Sequence, residues 1–186
     1  MIKIFKLRFF MAFIRSIAIK IRYWNNIQLN PFKVYISSSV IIKITGGGKL
    51  IIKSDADRVF ISRNSTIHCS SGVLVIGNGV FFNENNKIVC HESIEIGDDC
   101  LFGPNVCVYD SDHSFLAREE LIRKQGYTKE KIILGKDVWV GAGAVVTKGT
   151  TVGSHTVIGA NAVVRGELRT NCVYAGNPVK LIKEIL

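Results

Sequence analysis

A chain of 186 residues, 47% hydrophobic and with 17 glycines, has room for one domain, or one with a small appendage, and suits a repetitive β core with tight corners. Its net charge of +9 is concentrated in residues 1–53, which hold ten Lys and Arg and no acid, against fourteen basic and fifteen acidic residues in the remainder. The body is therefore not basic, and no stacking aromatics interleave with basic residues at a recognisable spacing, which argues against nucleic acid and leaves an anionic membrane surface as the better partner for the basic end.

The chain opens MIKIFKLRFFMAFIRSIAIKIRYW. Arg15 cuts the apolar run from Phe9 to Ile14 and no small-residue cleavage site follows, so this is not read as a signal peptide. No stretch approaches the roughly 20 uninterrupted apolar residues that a membrane span requires. On a helix Arg8, Arg15 and Arg22 fall along one narrow side, with Phe5, Phe9 and Phe13 elsewhere. Residues 1–30 thus read as a basic amphipathic segment. Residues 1–24 are expected to form a helix that either lies on a membrane surface or packs on the β body.

Residues 34–53 alternate apolar and polar around a Gly46-Gly47-Gly48 turn and look like degenerate opening coils. Phased apolar sets follow: Ile61, Ile67 and Val73, then Ile76, Phe82 and Ile88, then Ile96, Phe102 and Val108. The clearest run is Leu134, Val140, Val146, Val152, Ile158 and Val164, one aliphatic every sixth residue. A period of six fits neither a helix nor a flat strand. It fits a coil that turns a corner every six residues and points one apolar side chain inward per face, a hexapeptide β-helix. This all-β body is placed at residues 31–177. Within it, residues 110–131 (DSDHSFLAREELIRKQGYTKEK) break the pattern and should project as a loop, with Ser114 to Lys124 forming a short helix that ends at Gly126. After the Gly176-Asn177-Pro178 break, residues 178–186 read as a short C-terminal capping helix.

Five cysteines form no CxxC pair and their odd number fits disulfides poorly, so they read as small buried side chains. Of the four histidines, His68, His91, His113 and His155, no two have ligand-pair spacing, and no metal is expected. His113 opens the projecting loop, flanked by Asp110, Asp112 and Ser114. There an imidazole can take a proton from a hydroxyl or an amine; it can also be a plain surface histidine.

Three runs carry a resemblance: YDSDHSF, GKDVWVGAGAVVTKGTTVGSHTVIGANAVV and YAGNPVKLI. Together they resemble the left-handed β-helix acyltransferases, and more narrowly the sugar and polysaccharide O-acetyltransferases related to galactoside and maltose acetyltransferases. The similarity covers roughly residues 34–183. It implies a single-stranded left-handed parallel β-helix, acetyl-CoA as donor, a homotrimer with sites between subunits, and His113 as general base. It also places Trp139, Gly141, Ala142, Gly159 and Ala160 along the cofactor, with a Gly141 or Ala142 N–H facing the oxyanion. Asn83, then Asn85, with Asp112, would face the acceptor; corner asparagines that satisfy turns are the plainer reading. Where the family often carries Val-Val-Thr-Lys, this chain has Val163-Val164-Arg165-Gly166. Arg165 is therefore a substitute phosphate contact, with Lys180 and Lys148 as others.

The expected activity is acetyl-CoA-dependent O-acetylation of a sugar hydroxyl on a cell-surface polysaccharide or its precursor, in the cytoplasm at the inner face of the membrane. Two alternatives stay open: N-acetylation of a nucleotide-linked amino sugar or small antibiotic, and a non-catalytic β-helix scaffold.

Overall fold

The computed structural model describes the backbone of residues 2–186 and side chains from Leu7 onward. After one helix, α1 (Ile2–Arg22), the chain winds into a left-handed parallel β-helix with three faces. The first face has seven strands, from Ile27–Gln28 through Ser93–Ile96 and Ile132–Leu134 to Glu167–Leu168. The second has eight, from Val34–Ile36 through Trp139–Val140 to Cys172–Ala175 and a final Lys180–Glu184. The third has six, from Ile41–Thr45 through Cys107–Tyr109 to Val163–Val164.

The six-residue period is the geometry of this winding. Leu134, Val140 and Val146 fall on the first, second and third faces in turn, and Val152, Ile158 and Val164 repeat the circuit one coil on. Register puts Leu134 on Val152, Val140 on Ile158 and Val146 on Val164, and all six are at most 1% exposed. Burying a Val or Leu side chain is worth roughly 1.5–3 kcal/mol, so each coil adds three such contributions to a continuous core. Small or β-branched residues (Ala144, Thr150, Thr156, Ala162) fill the corners just before the inward slot and are fully buried.

The corners need left-handed backbone, and Asn supplies much of it: Asn64, Asn85, Asn105 and Asn161 all have φ between 57° and 64°. His155 is a corner residue of the same kind, with φ 54° and its Nδ1 2.7 Å from Asp137 Oδ2.

α1 closes the open end of the stack. The first coil has no predecessor, so its outward carbonyls need donors from elsewhere. Arg15 Nη2 donates to Val40 O at 2.6 Å, Ser16 Oγ to Val34 O at 2.9 Å, Lys20 Nζ to Leu29 O at 3.1 Å and Tyr23 OH to Ile42 O at 3.2 Å. Of the two expected placements of this helix, packing on the β body is the one seen. The coil stack also begins early, since Ile27 already pairs with Leu50 inside the 1–30 segment.

Two local expectations are corrected. Residues 178–186 form no helix. Lys180–Glu184 is a strand antiparallel to Cys172–Ala175, covering the last free edge of the second face. Its apolar spacing suits a helix as well, and the unsatisfied edge decides. In the projecting loop, the expected Ser114–Lys124 helix shrinks to a single 3₁₀ turn at Ile122–Lys124. The Gln125 amide accepts from Ala117 N and donates to Ala117 O and Glu120 O, taking up the backbone groups a helix would have paired.

Candidate active site

The projecting loop is a hairpin, Ser111–His113 against Tyr127–Lys129, at the corner between the third and first faces. Its root is Asp110, fully buried at an inward slot in phase with Val108. A carboxylate there must find donors. It accepts from the His91 N–H at 2.8 Å, the Glu92 N–H at 2.8 Å and the Ser93 N–H at 2.9 Å, while its own carbonyl accepts from Glu130 N at 3.0 Å. Asp110 thus ties the hairpin to the preceding coil. Lys148, from the next coil, lies 3.8 Å from Asp112 and 3.9 Å from Glu130, with its side chain only 12% exposed. That placement makes Lys148 a latch on both legs of the hairpin.

His113 is exposed at the end of its strand and pairs in register with Tyr127. The two rings lie 4.4 Å apart at 34°. The His91 ring also stacks on Tyr127, 5.4 Å away. Tyr127 therefore contacts two imidazoles, one on the rigid coil and one on the loop. Sequence reading missed Tyr127 and His91 as members of this group. Asp110 was legible there as an acid beside His113.

The other candidates divide between two corners of the prism. Trp139, half exposed on the second face, lies in register between Leu101 and Val157. Gly141 and Ala142 follow it around the corner to the third face, and Gly159 and Ala160 do the same one coil on. Stacking alone explains both glycines. A Cβ on Gly141 would sit 2.6 Å from Ala160 N, and one on Gly159 would sit 2.8 Å from Ala175 Cβ. The Gly141 N–H already donates to Ile158 O at 2.7 Å, which leaves Ala142 of the two oxyanion candidates. Lys180 is exposed on the C-terminal strand of the second face, opposite Ala175. Arg165, also exposed, instead follows the third face, on the same corner as the hairpin.

Asn83 and Asn85 likewise lie at the corner between the second and third faces, not beside His113. Asn85 takes the left-handed turn there, at φ 64°. Asn83 Oδ1 accepts from Glu84 N at 2.8 Å, and its carbonyl accepts from Asn86 Nδ2 at 2.6 Å. Within one chain, then, the histidine with Asp112 and the Trp139 wall with the asparagines stand on different edges of the prism.

Four of the five thiols, Cys69, Cys90, Cys100 and Cys172, are buried in the core. Burial pushes Cys69 up to about 12 and Cys100 up to about 11, and it raises Cys90 too, with the Asp110 charge adding to it. Among the described residues no group of three His, Cys, Asp or Glu could hold a metal ion.

A family model described as bacterial transferase hexapeptide (six repeats) matches residues 131–166, and one described as hexapeptide repeat of succinyl-transferase matches residues 93–109. The chain therefore carries hexapeptide repeats of the kind these models describe. The hexapeptide-repeat chain is 34% identical over 127 residues to the galactoside O-acetyltransferase of Escherichia coli, an alignment covering 68% of this chain and 58% of that one. It is 32% identical over 120 residues to the putative lipopolysaccharide biosynthesis O-acetyl transferase WbbJ of the same organism, covering 61% of each. It therefore spans about three-fifths of the length of these curated relatives. Among solved structures, the hexapeptide-repeat acetyltransferase VCA0836 of Vibrio cholerae, complexed with acetyl coenzyme A, superposes with a TM-score of 0.57 at 29% identity over 61% of each chain.

Proposed function

We propose that this chain is an acetyl-CoA-dependent O-acetyltransferase that modifies a sugar hydroxyl on a cell-surface polysaccharide or its precursor, with His113 as general base. The observation that carries this reading is the His113 ring, exposed on a hairpin that Asp110 and Lys148 fasten to a rigid wall. The names of the relatives support the substrate class: one acts on galactosides, and another is assigned to lipopolysaccharide biosynthesis.

In this mechanism His113 takes the proton of the acceptor hydroxyl as that oxygen attacks the thioester carbonyl. The Ala142 N–H faces the oxyanion. The C–S bond then breaks, and the imidazolium returns its proton to the departing thiolate. The products are a sugar acetate ester, free coenzyme A and neutral His113. Trp139, Ala142 and Ala160 line the cofactor wall, Arg165 and Lys180 meet its phosphates, and Asn83, Asn85 and Asp112 contact the acceptor. The hairpin of one subunit and the wall of its neighbour complete the site in a homotrimer, since one chain holds them apart.

The test is acetyl transfer to hydroxyl and amine sugar acceptors, side by side. Wild type is expected to favour the hydroxyl, and His113→Ala to lower the rate by about 10²–10⁴-fold. Preference for the amine would overturn O-transfer. An unchanged rate in His113→Ala would remove the base.

A further inference from the structure

α1 carries large apolar residues on opposite sides, set between its Lys and Arg. Only one side of it is buried. Ala12 and Ser16 face the first coil at 5% and 0% exposure, and Arg15, Lys20 and Tyr23 bond its carbonyls. The opposite side carries Leu7, Met11, Ile14, Ala18 and Ile21 at the i, i+4, i+7 spacing of a single stripe. Leu7 and Met11 are each 59% exposed and Ile21 66%, and Phe10 beside them is 58% exposed. Trp24, just past the helix, and Phe32 are exposed at 73% and 76%. An apolar ridge of this length on the capped end of a prism calls for a partner.

Charge selects the partner. α1 contains six Lys and Arg and no acid, and the first acid in the chain is Asp55. Arg8 and Arg22 are exposed and flank the stripe near its two ends. Two copies of this face brought together would set like charges against each other, whereas an anionic surface would neutralise them. Beside the stripe runs a groove of about 720 Å³, lined by Leu7, Met11, Ile14, Arg8, Arg15 and Ser37 among others. The acid on its wall, Glu84, is taken up by Arg63 at 2.7 Å. The groove thus pairs apolar walls with guanidinium groups, as an acyl chain and its phosphate headgroup require. No described helix is long and apolar enough to cross a membrane.

We propose that the outer face of α1 docks the protein on an anionic phospholipid surface, the stripe entering the headgroup region and Arg8 and Arg22 meeting phosphates. The prism then stands end-on, with its coils running away from the lipid. This inference does not depend on acetyl transfer.

Co-sedimentation of the full chain with vesicles tests it, using phosphatidylcholine alone and phosphatidylcholine mixed with phosphatidylglycerol. Wild type is expected to pellet with the anionic vesicles only. The exposed-site variant Phe10→Ser/Met11→Ser/Ile21→Ser should lower that partition by about tenfold or more, with an unchanged circular dichroism spectrum. Arg8→Glu/Arg22→Glu should do the same without touching the apolar stripe. Failure of wild type to bind either vesicle, or equal binding to both, overturns the proposal. So does a serine variant that binds lipid like wild type but loses an oligomer by sedimentation velocity, an outcome that would assign the ridge to a second copy.

Discussion

Tyr127 packs against the candidate base: its ring contacts both His113 and His91. It touches no reacting atom in the mechanism, so its role is to fix where the His113 ring points. Tyr127→Phe keeps the stack and is expected to keep the transfer rate. Tyr127→Ala is expected to lower kcat by roughly tenfold, with the KM for acetyl-CoA unchanged, because the ring loses its orientation. The His113 ring proton signals in NMR should move in the Ala variant and stay in the Phe variant, which a general loss of stability would not produce. His68 supplies a pH-dependent residue on the same side of the prism. Partial burial, then the charges of Lys43 and His91, hold its ring below the ordinary 6.5. The unfolded chain therefore takes up that proton first as pH falls. The contribution to stability is full above the unfolded value and is lost as pH drops through the folded one. Lowering the pH from about 7.5 to about 5 should shift the urea midpoint downward, and His68→Gln should reduce that shift.

At the level of elements, the hairpin and α1 are both secured by hydrogen bonds that end on buried groups. Asp110 accepts from three backbone N–H groups, so Asp110→Ala leaves all three without that partner. The cost should be about 3 kcal/mol or more in urea unfolding, and limited proteolysis should cut faster within 115–125. Ser16→Ala, which orphans the Val34 carbonyl at the capped end, should cost about 1–3 kcal/mol. The repeat was legible in the sequence because every inward slot must be apolar and every coil repeats the demand, as Leu134 to Val164 show. The two ends were less legible for one shared reason. Whether the VKLIKEIL segment becomes helix or strand depends on the bare edge at Cys172–Ala175, and whether α1 floats or packs depends on the bare carbonyls of the first coil. Neither edge exists until the coil has wound. The loop helix failed similarly, through a Gln125 side chain whose backbone partners, Ala117 and Glu120, are set by the hairpin.

Over the whole molecule, the prism fixes three edges, and the candidate residues occupy two of them. His113 and its supports sit where the third face meets the first, while Trp139, Ala142 and Ala160 sit at the second face and its corner to the third. The sequence could show that both sets were present. It could not show that one chain keeps them apart, since adjacency around a coil follows from winding and not from residue spacing. Closed rotational symmetry would bring one edge of each copy against a different edge of the next. Subunit complementation is the most direct measurement. His113→Ala removes the base, and Ala160→Trp, at an exposed position, obstructs the cofactor wall. Each variant alone should transfer acetyl groups poorly. Unfolded together in equal amounts and refolded, they should recover about a quarter of wild-type activity, because random assembly joins an intact histidine to an intact wall at that fraction of boundaries. A mixture no more active than either parent would contradict a site shared between chains.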